Sequence, residues 1–291
     1  MSPRLSILTA AMLFGTTGTA QALAGTHAPL GVGALRIAIG GTVLAALAVA
    51  THSLAPLRRQ VRRVLAAGAG VAVYQLAFFA ALADTGVTIG TVVAIGAAPV
   101  LTGLLEWLST GLAPGRRWLA ATPIAVGGVV LLGSGGGGGS ASATGIGLAL
   151  LASLGYATYA VLGRRMLADG ASPVGVMGAS FGIGAILLAP VAATAGAEVL
   201  SRPSGLLLVL YLGLLPTAGA YVLFGRALRS LPASETATLG LAEPVTATIL
   251  GLVVLGEHPS PVALAGAGLV VVALGVLAVP ARRLLRPAAA T

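Results

Sequence analysis

The sequence predicts an all-α membrane protein with ten transmembrane helices, arranged as two inverted five-helix repeats with both termini in the cytoplasm. Three observations predict this architecture: the apolar composition, the regular spacing of long apolar segments, and the placement of the arginines between them. Of the 291 residues, 57% are hydrophobic and only 8% are charged, whereas a soluble domain carries about 25% charged residues. The apolar segments are also too long and too unbroken to be barrel strands.

Ten apolar segments of roughly 20 residues are each long enough to cross the hydrocarbon core of a bilayer as a helix. The predicted spans are 5–24, 30–50, 64–83, 87–108, 117–133, 145–163, 173–193, 205–226, 236–255 and 261–279. They leave short connections and predict no soluble domain. The first span lacks a clear cleavage site, so it is interpreted as a retained helix rather than a signal peptide.

The arginines indicate the orientation of the spans. The chain has no lysine, so its 16 basic residues are all arginines. If Arg4 lies inside and the spans alternate, all but Arg36 and Arg202 fall on the inner side. These inner residues are Arg4, Arg58, Arg59, Arg62, Arg63, Arg116, Arg117, Arg164, Arg165, Arg226, Arg229, Arg282, Arg283 and Arg286. Cytoplasmic segments favour Lys and Arg, so this asymmetry supports both the number of spans and their orientation. The charge forms no cluster with interleaved aromatics, which argues against nucleic-acid binding.

The two halves of the chain resemble each other. Residues 99–114, PVLTGLLEWLSTGLAP, align with residues 244–259, PVTATILGLVVLGEHP. The Gly/Ser-rich segment 134–144 is predicted to be a flexible outer linker between two domains, 1–133 and 145–291. Because each half has an odd number of spans, the second half enters the membrane upside down. Inverted repeats are typical of alternating-access transporters, whose substrate site lies near the midplane where the halves meet.

Two five-span repeats, each with a Pro in its fourth span followed by a Gly-containing turn, resemble the EamA-type transporters of the drug/metabolite transporter superfamily. The residues that carry the resemblance are Leu241-Ala242-Glu243-Pro244-Val245, Leu255-Gly256-Glu257, Arg36, Tyr74-Gln75 and Ala81-Leu82. The first repeat departs from the pattern, because Gly111-Leu112 stands where the second repeat has Gly256-Glu257. The resemblance implies a multi-pass carrier of the cytoplasmic membrane, often an exporter of amino acids, related metabolites or toxic compounds.

Glu243 is the first candidate site residue. It lies near the middle of span 9, where an ionised carboxylate costs several kcal/mol unless it is paired or faces water. Such a group can carry a coupling proton or bind a substrate amine; a structural carboxylate bonded to a neighbouring helix is the alternative. Pro244 lacks an amide N–H, so it is expected to bend the helix and to leave a nearby carbonyl without its usual partner. Pro99 is its counterpart in the first repeat.

Arg36 and a small set of polar and aromatic side chains complete the predicted site. Arg36 lies about two turns inside the outer end of span 2, where it could anchor a substrate carboxylate or snorkel to the surface. Hydroxyl and aromatic groups that converge from several spans could line a cavity for an amphipathic solute. The candidates are Thr19, Tyr74, Gln75, Tyr156, Tyr159 and Tyr221.

Three residues at the inner ends of spans are interpreted as boundary residues. Glu106 and Trp118 lie where spans 4 and 5 meet the inner interface, and Trp is favoured at such boundaries. Glu235 opens span 9, where an acid in the first turn suits the helix dipole.

The combined prediction is a secondary transporter that moves a small-molecule substrate across the bilayer by alternating access, with export preferred and protons as a candidate coupling ion. No H-E-x-x-H, G-x-S-x-G or P-loop sequence is present. With no cysteine and three histidines, all at membrane edges, the sequence predicts no catalytic residue, metal site or cofactor. Two alternatives stay open: a passive facilitator and a membrane-embedded lipid-modifying enzyme. The oligomeric state is also open, with a homodimer among the options.

Overall fold

The computed structural model describes residues 1–25, 28–134 and 142–278. Throughout these ranges the regular structure is helical and no strand occurs. Ten helical spans are long and apolar enough to cross a membrane, which confirms the predicted number. In chain order, spans 1 to 10 are Pro3–Ala24, Pro29–Ala50, Ala55–Thr85, Val87–Thr110, Arg116–Ser134, Ala143–Ala168, Pro173–Leu200, Pro203–Leu228, Ala233–Val254 and Pro261–Ala278.

Two predicted features lie wholly or partly outside the described residues. The central part of the predicted linker, 135–141, is not among them, whereas Ser134 ends span 5 and Ala143 already begins span 6. The three arginines after residue 278, Arg282, Arg283 and Arg286, are also outside them.

Spans 6 and 7 are longer than the apolar pattern predicts. Span 6 continues through Arg164 and Arg165 to Ala168, and Gly170, with a φ of 93°, follows its end. Span 7 continues to Leu200 and ends shortly before Pro203. Hydropathy predicts the length of helix that suits lipid, whereas backbone hydrogen bonds carry a helix beyond the lipid until a Gly or Pro ends it.

Span 8 contains a π-helical segment, Gly213–Gly219, around Pro216. Pro216 has no amide N–H, so the carbonyl of Leu212 loses its usual donor four residues later. The hydroxyl of Thr217 donates to that carbonyl at 2.8 Å. A neighbouring side chain therefore satisfies the group that the proline leaves open, as is common in transmembrane helices.

Span 9 is not the single helix that the sequence predicts. It consists of Ala233–Leu239 and Ala242–Val254, with a break at Gly240 and Leu241. Pro244 cannot donate to the carbonyl of Gly240, and the amide N–H of Glu243 donates to it instead at 2.9 Å. The Gly240 carbonyl therefore lacks its usual amide partner, as expected, but accepts from the residue before Pro244 instead. A tighter turn satisfies the carbonyl and interrupts the helix directly before Glu243.

Glycines let several pairs of spans approach closely. A Cβ atom added to Gly70 of span 3 would lie 2.7 Å from the carbonyl oxygen of Gly155 in span 6, and the reverse substitution gives the same distance. Gly128 of span 5 and Gly266 of span 10 meet in the same way. Small residues of this kind are typical of helix contacts in membranes, where close backbone packing replaces the hydrophobic driving force.

Replacement of Gly128 by Ala is expected to destabilise the protein. The new Cβ would lie 2.7 Å from Gly266 O and 2.9 Å from Val270 N, and neither backbone atom can move without separating the spans. Such overpacking costs about 1–3 kcal/mol, which thermal unfolding in a fixed detergent would detect as a lower Tm. Gly127→Ala is the matched control, because nothing lies within 4 Å of its added Cβ. Equal unfolding temperatures for the two variants would contradict this account of the contact.

The described arginines lie at one end of the helix bundle, apart from Arg36 within span 2 and Arg202 at the opposite end. Contacts between spans support this arrangement, because Arg63 pairs with Asp169 and Arg165 donates to Ser109 O. We call this end the arginine-rich end and the other the opposite end. Spans 1, 3, 5, 7 and 9 begin at the arginine-rich end, and the other five spans begin at the opposite end.

Candidate functional site

Two adjoining voids lie between spans 1, 2, 3, 4 and 9 and share Phe14, Arg36, Tyr74, Ile95 and Glu243 in their walls. The inner void, of about 60 Å³, extends towards the arginine-rich end, and we call it the central cavity. The outer void, of about 420 Å³, is called the vestibule. Its wall includes Gln21, Pro29, Leu82 and Val87, which lie at or near the opposite ends of spans 1 to 4. The vestibule therefore reaches from mid-bundle to the opposite end.

Arg36 and Glu243 place opposite charges in the wall of both voids. Arg36 Nη2 donates to Gln75 Oε1 at 3.2 Å, whereas Arg36 Nε is buried and has no hydrogen-bond partner in the described structure. The Glu243 carboxylate makes no hydrogen bond or ion pair with any residue that the structure describes. Its charge is attracted to Arg36 across the cavity. A charge within a membrane span is costly unless it is paired or faces water. A polar solute in the cavity that contacts both groups would therefore stabilise them.

Gln75 supports Arg36 from outside the cavity. Its side chain is only 1% exposed, and it does not line either void. Its Oε1 accepts the hydrogen bond from Arg36, and its Nε2 has no partner among the described residues. Gln75 therefore orients the guanidinium group rather than offering a contact surface of its own.

Tyrosine and phenylalanine rings form much of the central cavity wall. Tyr74, Tyr156, Tyr221 and Phe224 all line it. Tyr159 lies behind them, 2% exposed, with its hydroxyl oxygen 3.2 Å from that of Tyr221. Tyr159 thus holds Tyr221 in place but does not face the void. The aromatic faces give a wall suited to apolar groups and to cations.

The break in span 9 determines where Glu243 lies. Gly240 and Leu241, at the break, line the central cavity, and Glu243 follows in the first turn of the helix Ala242–Val254. Span 1 approaches closely here, because a Cβ added to Gly15 would lie 2.7 Å from Glu243 O. The local sequence therefore interrupts the helix at mid-bundle and presents the carboxylate to the void.

Not all predicted site residues meet at this cavity. Thr19 lines a separate groove with residues of span 8, including Tyr211, and is absent from the walls of both voids. Pro99 is buried in span 4, whose helix continues without a break from Val87 to Thr110. Pro244 lines the vestibule. In the described part of the chain, no group of three or more His, Cys, Asp or Glu side chains is placed to hold a metal ion.

Phe14 and Ile95 line the cavity but were not singled out by the sequence. Phe14 contacts Tyr221, with ring centroids 5.1 Å apart. Ile95 precedes Pro99 by four residues, so its carbonyl lacks the usual amide donor. The spacing between Ile95 and Pro99 was the only sequence feature that could have indicated Ile95 as a site residue. A lone Phe in an apolar span gives no such indication for Phe14.

The arginine-rich end of span 9 is held by a carboxylate. Glu106 of span 4 accepts from Ala233 N at 2.8 Å, Ser234 N at 3.0 Å and Ser234 Oγ at 2.6 Å. These are the first amides of the helix Ala233–Leu239, so Glu106 acts as its N-terminal cap from another span. The interpretation of Glu106 as a boundary residue missed this contact, because its partners are more than a hundred positions away in the sequence.

Three further contacts hold the same short helix. Trp118 Nε1 of span 5 donates to Ser234 O at 3.0 Å. Arg4 pairs with Glu235 at 3.0 Å, and the hydroxyl oxygens of Thr122 and Thr238 lie 2.9 Å apart. Spans 1, 4 and 5 therefore close the bundle over Ala233–Leu239, on the side of the cavity opposite the vestibule.

The model of the EamA-like transporter family matches residues 1–134 and 143–279. An "Uncharacterized transporter YwfM" of Bacillus subtilis (strain 168) is 37% identical over 280 residues, which cover 96% of this chain and 94% of the relative. The "Threonine/homoserine exporter RhtA" of Escherichia coli (strain K12) is 33% identical over 130 residues, covering 45% of this chain and 43% of RhtA. The fold is also similar to that of a protein of known crystal structure, with a TM-score of 0.82 and 25% sequence identity. The match covers 98% of this chain and 99% of that chain.

Proposed function

The chain belongs to the EamA-like transporter family, and on that premise we propose that it is a secondary transporter of the cytoplasmic membrane that exports amino acids or closely related zwitterionic metabolites by alternating access. The family and the names of the relatives indicate a transporter rather than an enzyme. The proposal adds a substrate class, a direction and a mechanism.

Arg36 and Glu243 lie in the wall of the same aromatic cavity, and this observation supports a zwitterionic substrate. Arg36 has a buried Nε–H without a described partner, and guanidinium groups bind carboxylates with good geometry. Glu243 offers a carboxylate with no described partner to a substrate ammonium group. The rings of Tyr74, Tyr156 and Tyr221 lie beside them, where they can contact a cation or a small apolar side chain. A zwitterion would neutralise both charges at once.

Access to the cavity differs at the two ends. The vestibule leads to the opposite end, whereas Glu106, Trp118 and Arg4 hold the helix Ala233–Leu239 closed at the arginine-rich end. Under the proposed orientation the arginine-rich end faces the cytoplasm. The arrangement is then that of an outward-facing carrier, and the break at Gly240 and Leu241 is a natural hinge for the inward-opening step.

The packing supports the proposed pair of inverted domains, 1–133 and 145–291. In such a pair, spans 2 and 7 are counterparts and cross antiparallel about a two-fold axis. Gly31, at the start of span 2, meets Ala195 O near the end of span 7, and Gly175, at the start of span 7, meets Ser53 O beyond the end of span 2. Spans 5 and 10, also counterparts, meet at Gly128 and Gly266. Each contact has the partner that an inverted repeat requires.

Counterflow in proteoliposomes tests the substrate class. Labelled threonine is the first probe, because RhtA is named a threonine/homoserine exporter. Two competitors each lack one charge: N-acetylthreonine has no ammonium group, and threoninol has no carboxylate. We expect each to compete on the order of 10 to 100 times less well than threonine, the loss from one charge-assisted hydrogen bond. If N-acetylthreonine competes as well as threonine, Glu243 does not bind the substrate ammonium group. If threoninol does, Arg36 does not bind the substrate carboxylate.

A passive facilitator is the second candidate, because a cavity that is open at one end does not by itself require an ion gradient. Threonine uptake with and without an imposed pH gradient separates the two. Accumulation that collapses when the gradient is dissipated supports a proton-coupled carrier, whereas equilibration without accumulation supports a facilitator.

A further inference from the structure

A further cavity lies at the arginine-rich end, beside the helix Ala233–Leu239 that closes this end of the bundle. It has a volume of about 750 Å³ and lies among the ends of spans 1, 4, 5, 6, 9 and 10. We call it the basic pocket, because five arginines line it: Arg4, Arg116, Arg117, Arg164 and Arg165. Arg4, Glu106 and Trp118 in its wall hold the closed end, whereas Arg116 and Arg164 take no part in the proposed transport.

Both acids of the basic pocket already have partners. Glu235 accepts from Nε and Nη2 of Arg4, at 3.1 and 3.0 Å. Glu106 accepts three hydrogen bonds from Ala233 and Ser234. Glu106 and Glu235 are outnumbered by the five arginines, so the pocket keeps a formal positive charge.

Arg116 and Arg164 make no hydrogen bond or ion pair with the part of the chain that the structure describes. Arg164 is half-buried, so its charge is only partly screened by water. Arg116 is also the first residue of span 5, a helix of 19 residues, whose first turn lines the pocket from Arg116 to Trp118. The positive end of that helix dipole adds to the field of the guanidinium groups. An anion in this pocket would meet donors from two spans.

The wall of the basic pocket also contains apolar residues, of which Leu112 and Ala113 are exposed. Leu112, Ala113 and Pro114 of the turn before span 5 line it, together with Trp118 and Leu277. Leu112 is 75% exposed, although it lies in a turn where water alone would favour a polar residue. Arginines beside apolar side chains and a Trp at the membrane boundary match a molecule with an anionic head and an apolar tail.

We propose that the basic pocket binds the phosphate group of an anionic phospholipid, held chiefly by Arg116 and Arg164. The shared chemistry is a phosphate anion, which a soluble phosphate compound could also supply. The apolar wall favours the lipid. Arg116 and Arg164 have no role in the proposed transport. An experiment that disproves lipid binding therefore leaves the transport proposal untouched, and the reverse also holds.

Thermal unfolding of the delipidated full-length protein in a neutral detergent tests the site. The probes are dioleoylphosphatidylglycerol, dioleoylphosphatidylcholine and inorganic phosphate, each titrated separately. We expect the anionic lipid to raise Tm in a saturable way, and phosphatidylcholine to leave it unchanged. The double variant R116Q/R164Q should bind phosphatidylglycerol about 30-fold more weakly, given the strength of each Arg–lipid attraction. R116K/R164K should retain most of the affinity, which shows that the loss follows charge rather than misfolding.

R58Q/R59Q is the matched control, because it removes two arginines at the same end, on the segment Ala55–Gln60, outside the pocket. It should bind phosphatidylglycerol as the wild-type protein does. An equal loss in this control would overturn the pocket in favour of unspecific surface charge, as would wild-type affinity in R116Q/R164Q. If inorganic phosphate alone gives the saturable rise and the lipid gives none, the lipid assignment is overturned and the site binds a soluble phosphate.

Discussion

Replacement of Glu243 by Gln is expected to reduce transport by about 100-fold, to the level of empty liposomes, while expression and membrane insertion stay intact. The carboxylate lines both the central cavity and the vestibule and has no described hydrogen-bond partner, so its loss leaves no internal contact broken. A substrate ammonium group would lose a charge-assisted hydrogen bond, worth about 1.5–3 kcal/mol. A coupling proton would lose the one carboxyl carrier that the described residues of the cavity wall provide. Threonine counterflow, normalised to reconstituted protein, measures the effect.

Glu257→Gln is the control for this experiment. Glu257 follows the same span at its opposite end, is exposed, and lines neither the central cavity nor the vestibule. The substitution makes the same chemical change, so flux should remain near that of the wild-type protein. Unchanged flux in Glu243→Gln would make Glu243 a structural carboxylate and remove its assigned role.

Replacement of Glu106 by Gln is expected to open the bundle at the arginine-rich end. The amide keeps the size of the side chain but loses the charge and turns one acceptor into a donor beside Ala233 N and Ser234 N. Hydrogen bonds to a charged group are worth about 1.5–3 kcal/mol, so the equilibrium between closed and open states should shift on the order of 10 to 100-fold. Transport should change less than with Glu243→Gln, because Glu106 does not line the substrate cavity.

Labelling of a single introduced cysteine measures this opening. The chain has no cysteine, so Ala237→Cys provides a unique thiol in the central cavity wall. A membrane-impermeant maleimide added at the arginine-rich side of sealed vesicles should react about 10-fold or more faster in the Glu106→Gln background. Glu235→Gln is the comparison, because it breaks the partly exposed pair with Arg4, whose worth is about 0–1 kcal/mol. Equal labelling rates in all three backgrounds would show that Glu106 does not hold the closed end.

Hydropathy and proline chemistry predicted the local structure well. Ten spans follow from apolar length, because backbone groups in lipid must be paired within the helix. Pro244 was expected to bend span 9 and to leave a carbonyl without its usual amide partner, but the sequence did not indicate that Glu243 N would donate to Gly240 O and interrupt the helix at Gly240 and Leu241. Arg36 and Glu243 stood out in the sequence for the same reason: a charge within a span is costly and requires a local cause.

The faces of the spans were much harder to predict. The polar residues of span 1 are distributed around the helix, so no amphipathic pattern indicates which residues face the cavity. Close packing at Gly15 against Glu243 O turns Phe14 into the cavity and Thr19 into a separate groove. Tyr156 and Tyr159, three residues apart, divide in the same way, with one in the wall and the other behind it.

The sequence by itself thus determined the number of spans, the proline in span 9 at which a bend was expected, and the two charges to be explained, because each depends on a residue and its near neighbours in a lipid environment. Only the tertiary structure decided that Arg36 and Glu243 line one cavity, that Gln75 and Tyr159 support it from behind, and that Glu106 caps the helix beginning at Ala233. These relations join residues far apart in the chain. They depend on how each helix is rotated by its packing, and hydropathy does not encode that rotation when every face is apolar.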